Sequence, residues 1–216
     1  MQPDFIFIIT ILIFSVVIHE VSHGYAANYL GDPTARLAGR LTLNPIKHLD
    51  LMGSIIIPTL LIITGAGFIF GWAKPVPYNP YNLRKGGKWA EAIVGGAGPA
   101  VNLLIAIIFG LLIRFGIASG FATGPFIQIA GIIVFVNILL ALFNLIPIPP
   151  LDGSKVFEAI LPYNAGQAYR RFQNAMMKYG LIVMFGFLFL FIFIFGPIFV
   201  RLISLISFLI TGIHFF

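Results

Sequence analysis

The chain has 216 residues, 59% of them hydrophobic and 9% charged, with a mean hydropathy of +1.02, against roughly 25% charge in soluble domains. That composition excludes a soluble enzyme and predicts a single integral-membrane domain, residues 1–216. The lack of cysteine excludes disulfides and thiolate metal sites. The net charge of +6 is scattered over several loops, with none of the basic, aromatic-interleaved face that nucleic acid requires.

Residues 5–30 read as the first helix. Phe5 to Ile18 is apolar, relieved only by Thr10 and Ser15, with no basic stretch or small-residue cleavage site before it, so it is expected to be retained. It carries His19-Glu20-Val21-Ser22-His23. Histidines four apart lie on one helical face and can reach one tetrahedral Zn²⁺, while Glu20 can take a proton from water beside it. Ionisable groups in an apolar helix cost about 2.5 kcal/mol or more each, which argues for function. The bland alternative is a helix end whose histidines reach the headgroups. His19 lies roughly 21 Å along from Phe5 at ~1.5 Å per residue, past the middle of a core about 30 Å thick.

Residues 31–50 alternate apolar and polar from Arg36 to Leu43 and turn at Asn44-Pro45, which predicts a short strand or β hairpin at the membrane surface. Residues 51–72 are apolar but broken by Pro58, Gly65, Gly67 and Gly71; they span once, or dip in and return. Trp72 to Pro80 is held extended by prolines, with Trp and Tyr at the interface. Charges from Arg84 to Lys88 lead into a helix over 89–115 that contains Gly95 to Asn102, small enough for close helix approach. A helix over 126–145 ends in Asn144-Leu145-Ile146-Pro147-Ile148-Pro149-Pro150-Leu151-Asp152-Gly153. Residues 153–178 read as a short helix and a basic, Tyr-rich surface segment, and 179–216 as one or two further apolar helices.

A catalytic zinc needs a third protein ligand. Outside the motif the candidates are Asp4, Asp32, His48, Asp50, Glu91, Asp152, Glu158 and His214. Asp152 is favoured because Pro147, Pro149 and Pro150 leave irregular backbone at the end of a span, tolerated only beside protein or water. It could instead cap the helix that begins at Gly153, and one carboxylate could do both. His48 reads as part of a solvated loop and His214 as a headgroup contact. Asn102 and Asn144 are amides on apolar helices, suited either to interhelical hydrogen bonds or to donating to a developing oxyanion or substrate backbone.

For His19, His23 and Asp152 to share an ion, the first helix and the 126–145 helix must run the same way. Residues 51–72 must then be re-entrant or a pair of half-spans. Loops 31–50, 73–88 and 146–178 then share one side. They hold Arg36, Arg40, Lys47, Lys74, Arg84, Lys85, Lys88, Lys155, Arg170, Arg171 and Lys178, eleven of the 13 basic residues, which places the mouth of the site in the cytosol.

The H-E-x-x-H at 19–23, Gly98-Pro99-Ala100-Val101-Asn102, and the run from Asn144 to Gly153 together resemble the core motifs of site-2 proteases, the intramembrane zinc metalloproteases of peptidase family M50. Gly71-Trp72-Ala73-Lys74-Pro75-Val76-Pro77 resembles their short prokaryotic branch, which lacks PDZ and CBS domains. The resemblance implies an all-α polytopic fold with a three-helix catalytic core and one Zn²⁺ per chain. It implies zinc ligation by His19, His23 and Asp152, Glu20 as general base, and Asn144 near substrate, ahead of Asn102. The expected activity is hydrolysis of a peptide bond within or near a substrate's transmembrane segment, in a prokaryotic cell membrane, with the lipid bilayer and a membrane-protein substrate as partners and no specified oligomeric state. The competing reading is a non-hydrolytic metal transporter or sensor built on the same cluster. The 36–43 strand is expected to pair with an unwound substrate.

Overall fold

The computed structural model describes residues 5–65, 71–178 and 180–214. Helix α1, Phe5–Leu30, ends because Gly31 takes a left-handed turn at φ 113°. The Asp32 amide then reaches back to the Ala27 carbonyl, closing the last turn. Asp32 itself is fully buried and accepts from the Thr34 amide and hydroxyl, the Asn79 amide and the Asn82 side chain.

Residues 36–43 do not form the predicted strand, and no strand occurs among the described residues. A short helix, α2 (Thr34–Leu37), stands there instead. Leu37, Ala38, Gly39 and Arg40 donate their amides to Pro33, Thr34, Arg36 and Ala35. With these four donors used locally, the first half of the predicted strand has none left for a ladder partner. Gly39, at φ 63°, terminates this turn as Gly31 does α1.

The apolar stretch after Asp50 runs out and comes back. A π turn, Leu51–Ile56, leads into α3, Ile57–Ile63. On the return, Trp72 donates its amide to the Gly53 carbonyl at 3.1 Å, the Ser54 hydroxyl donates to the Trp72 carbonyl at 2.8 Å, and the Lys74 amide donates to the His48 carbonyl at 2.9 Å. Both ends of the excursion therefore meet on one side, as a re-entrant segment requires. Residues 66–70, with Gly67, lie outside the described residues. Gly53 has no side chain because the Trp72 indole fills that space.

Helix α4, Ala90–Ala118, is the hub, packing on α1, on α5 (Gly124–Asn144), on α6 (Gly153–Ile160) and on α8 (Gly180–Thr211). A core of Ala106 and Ile113, Ala130, Val134 and Ile138, and Ile203 joins α4, α5 and α8. Among the described residues, 179–216 hold one helix. Four stretches, Ile6–Leu30, Gly87–Ala118, Gly124–Asn144 and Phe193–Thr211, are long and apolar enough to cross a bilayer. The chain is an all-α, polytopic integral membrane protein.

The basic, Tyr-rich segment expected within 153–178 is helix α7, Tyr163–Lys178. Its inner face is apolar: Phe172 and Met176 pack on Ile146, Ile148 and Leu151. Tyr169 donates its hydroxyl to the Pro147 carbonyl at 3.0 Å. The proline-rich run ahead of Asp152 is thus braced from outside.

Candidate metal centre

His19 and His23 project from α1 toward α4. The start of α6 delivers Asp152 between them. Its Oδ2 stands 3.1 Å from His19 Nε2 and 3.0 Å from His23 Nε2, and one ligand atom from each of the three residues falls within 4.8 Å of the others. The three side chains are buried, and theirs is the one such cluster of His, Cys, Asp or Glu among the described residues. Tetrahedral zinc with ligands at about 2.0–2.2 Å spaces neighbouring ligand atoms about 3.3–3.6 Å apart, close to the separations here.

The space such an ion needs is the missing side chain of Gly98. A Cβ added there would stand 2.5 Å from both Nε2 atoms. Either that atom or an ion can occupy the hollow, and the glycine leaves it open.

Hydrogen bonds fix which nitrogen of each ring faces the hollow. His23 Nδ1 lies 2.7 Å from the Val94 carbonyl, which can only accept, so Nδ1 carries the proton and Nε2 presents its lone pair. For His19 the reasoning takes one more step. The Asn102 amide nitrogen donates to Asn137 Oδ1 at 2.7 Å and to the Ser15 carbonyl at 3.4 Å. The Asn137 nitrogen in turn donates to Ser15 Oγ at 3.0 Å and the Ile133 carbonyl at 2.9 Å. With both amide nitrogens committed, Asn102 Oδ1 is left to accept from His19 Nδ1, 2.5 Å away. Both imidazoles thus turn Nε2 toward the hollow.

The second Asp152 oxygen, Oδ1, faces Lys155 Nζ at 3.4 Å, and that ammonium also sits 5.2 Å from the centre of the Tyr78 ring. Burial alone would raise the Asp152 pKa, whereas the Lys155 ammonium beside Oδ1 lowers it and favours the carboxylate. Burial likewise opposes charge on Lys155, and the Asp152 carboxylate reverses that, so its pKa is raised. The Asp152 side chain makes no cap bond to α6; its main-chain carbonyl accepts from the Lys155 amide instead. A Cβ at Gly95 would lie 3.1 Å from that carbonyl, which shows how closely α4 passes the start of α6.

Glu20 is half-buried on the neighbouring face of α1. Its Oε2 accepts from the Val76 amide at 2.9 Å. Asn144, at the last turn of α5, donates to the Leu140 carbonyl of its own helix and lies outside the hydrogen-bond network of the cluster. Asn102 stands behind a ligand, its oxygen engaged by His19. His48 is not solvated as expected. It is 2% exposed, its Nε2 pairs with the Thr42 carbonyl, and its own carbonyl anchors the returning Lys74. His214 stacks on Phe208, 4.2 Å between centroids.

Four contributors carry no role in the sequence reading: Asn137, Ser15, the Val94 carbonyl and the Val76 amide. Asn137 and Ser15 were detectable as polar side chains inside apolar runs. The two main-chain groups have no residue-type signal.

Comparison with known proteins gives one family. The profile of peptidase family M50 matches residues 114–187, which include Asp152. A Bacillus subtilis protein bearing the name "Putative zinc metalloprotease YwhC" is 42% identical over 162 residues, 72% of this chain and 69% of the relative. A Mycolicibacterium smegmatis protein, "Putative zinc metalloprotease Rip2", is 32% identical over 161 residues, 71% of this chain and 57% of the relative. A Methanocaldococcus jannaschii protein with a name of the same form, MJ0611, is 34% identical over 100 residues, 46% of this chain and 47% of the relative. No solved structure matches the chain.

Proposed function

Because the chain belongs to peptidase family M50, we propose that it is a site-2-type zinc endopeptidase, cleaving a peptide bond within or near the transmembrane segment of a membrane-protein substrate. The observation that carries the reading is the convergence of His19, His23 and Asp152 on the hollow beside Gly98, with Glu20 one residue from the first ligand.

In this mechanism His19, His23 and Asp152 hold the zinc. Bound there, zinc supplies Lewis-acid polarisation of a carbonyl and lowers the pKa of water toward about 7. Asn102 and the Val94 carbonyl keep the two imidazoles turned to their work. Lys155 balances the Asp152 oxygen that faces away from the histidines. Glu20 takes the proton from the attacking water and returns it to the leaving amine. A helical peptide bond is hidden from attack, so the substrate unwinds before cleavage. Asn144, half-buried at the end of α5, would contact the substrate backbone, whereas Asn102 serves the ligand behind it. The basic loops 31–50, 73–88 and 146–178 support a mouth that opens to the cytosolic face of a prokaryotic cell membrane.

The test is zinc content together with cleavage of a fluorogenic transmembrane peptide in detergent, for the parent and for Glu20→Gln. The expected result is about one zinc per chain in both proteins and turnover only in the parent. Equal turnover in Glu20→Gln would remove the general base from this reading; metal flux that survives Glu20→Gln, without cleavage, would make the protein a carrier.

A further inference from the structure

The segment after the re-entrant turn crosses α1 as an extended strap. It is tied at Trp72 to Gly53, at Lys74 to His48 and Arg40, at Val76 to Glu20 and at Asn79 to Asp32. Two features of the sequence single out Val76 among these ties. Pro75 and Pro77 lack N–H groups, so Val76 is the one main-chain donor between Lys74 and Tyr78. Gly24, one turn past Glu20 on α1, has no side chain where the strap passes: a Cβ there would stand 2.9 Å from Val76 Cγ1 and 2.6 Å from Leu41 Cδ2. The glycine lets the strap down onto the helix, and the prolines leave a single donor where it lands.

We propose that the Val76 main-chain N–H is a positioning group for Glu20, so that the strap sets the general base. This rests on the reading of Glu20 as that base. A carboxylate next to a zinc ligand is itself a good zinc ligand, and as a fourth ligand it would fill the position water needs. Holding Oε2 on a fixed N–H keeps the carboxylate beside the hollow and its other oxygen available. The tie is to the backbone, so side-chain truncation at position 76 spares it. Only removing the N–H or lifting the strap breaks it.

Two measurements on the zinc-loaded protein in nanodiscs test this. Amide hydrogen exchange needs no substrate: in Glu20→Ala, the peptide covering 72–79 is expected to lose the protection of one amide relative to the parent. Unchanged protection overturns the proposal. In cleavage of the fluorogenic transmembrane peptide, Val76→Pro and Gly24→Ala are each expected to lower kcat about tenfold or more, with KM within about twofold and zinc retained. Val76→Ala, which keeps the N–H, is expected to hold kcat within about threefold of the parent. Equal losses in Val76→Ala and Val76→Pro, or full kcat in Val76→Pro, overturn it. Parental turnover in Glu20→Gln would sink the proposed mechanism, and the exchange result would still decide whether the strap holds the carboxylate.

Discussion

His19 and His23 are the same side chain one helical turn apart, but the regions that hold them are built differently. On the membrane-interior side, His19 leans on a chain of buried side chains, Asn102, Asn137 and Ser15, drawn from α4, α5 and α1. Toward the surface, the partners are main-chain groups: the Val94 carbonyl for His23 and the Val76 amide for Glu20. In hydrocarbon an unmatched polar group is expensive, so a side-chain network there must be complete. Nearer the surface, backbone supplies the partners, from the first turns of α4 at Val94 and from the extended segment at Val76, and its polar groups are present whatever the residue type. The interior half should therefore fail one side chain at a time, and the surface half only when backbone geometry changes.

The largest effect should come from the residue both halves share. Asp152→Ala removes the oxygen facing both imidazoles and is expected to abolish zinc binding and turnover together, by at least about a thousandfold. Full zinc in that variant would place the third ligand elsewhere. Gly98→Ala comes next: its Cβ fills the hollow, so zinc affinity should drop about a hundredfold or more, read by chelator competition. The contrast between the halves is sharpened at Asn102. Asn102→Leu should weaken zinc about 10–100-fold, whereas Asn102→Asp, which still accepts from His19, should retain it within a few-fold. Asn137→Leu, one bond further out, should cost about tenfold in the same assay. If Asn137→Leu left zinc affinity untouched, the interior network would be packing and not orientation.

The smallest effect lies outside the bilayer. Burial raises the Asp32 pKa, but hydrogen bonds from Thr34, Asn79 and Asn82 outweigh it and hold the carboxyl below its ordinary 3.8. Its contribution to stability is complete above that unfolded value and is lost as pH falls through the lower folded one. The thermal midpoint of the parent should therefore drop on acidification below about pH 3.8, more steeply than that of Asp32→Asn.

Much of the architecture was legible because it rests on side-chain pattern. Apolar runs of spanning length gave the membrane helices, the requirement that residues 19–23 and 152 meet gave the re-entrant turn, and the prolines marked irregular backbone before Asp152. The strand at 36–43 failed because alternating polarity over a short stretch does not reveal whether a partner strand exists. Gly39, which ends α2 as Gly31 ends α1, was the better signal. Within the site, the motif residues could be named from type and spacing, but the partners that aim them could not all be. Asn137 is an ordinary polar residue until three helices are packed together, and an amide at 76 or a carbonyl at 94 looks the same in any sequence.

The hollow beside Gly98 also has a genetic side. Every glycine codon becomes an alanine codon through one base change, so the site lies a single nucleotide from a methyl plug. The plug would keep every ligand residue in the chain but push the His19 and His23 rings aside, since it would stand 2.5 Å from both Nε2 atoms. A lineage could therefore lose the metal site in one mutational step, keeping His19, Glu20, His23 and Asp152 intact. Counting histidines and aspartates would not detect that loss; reading position 98 would.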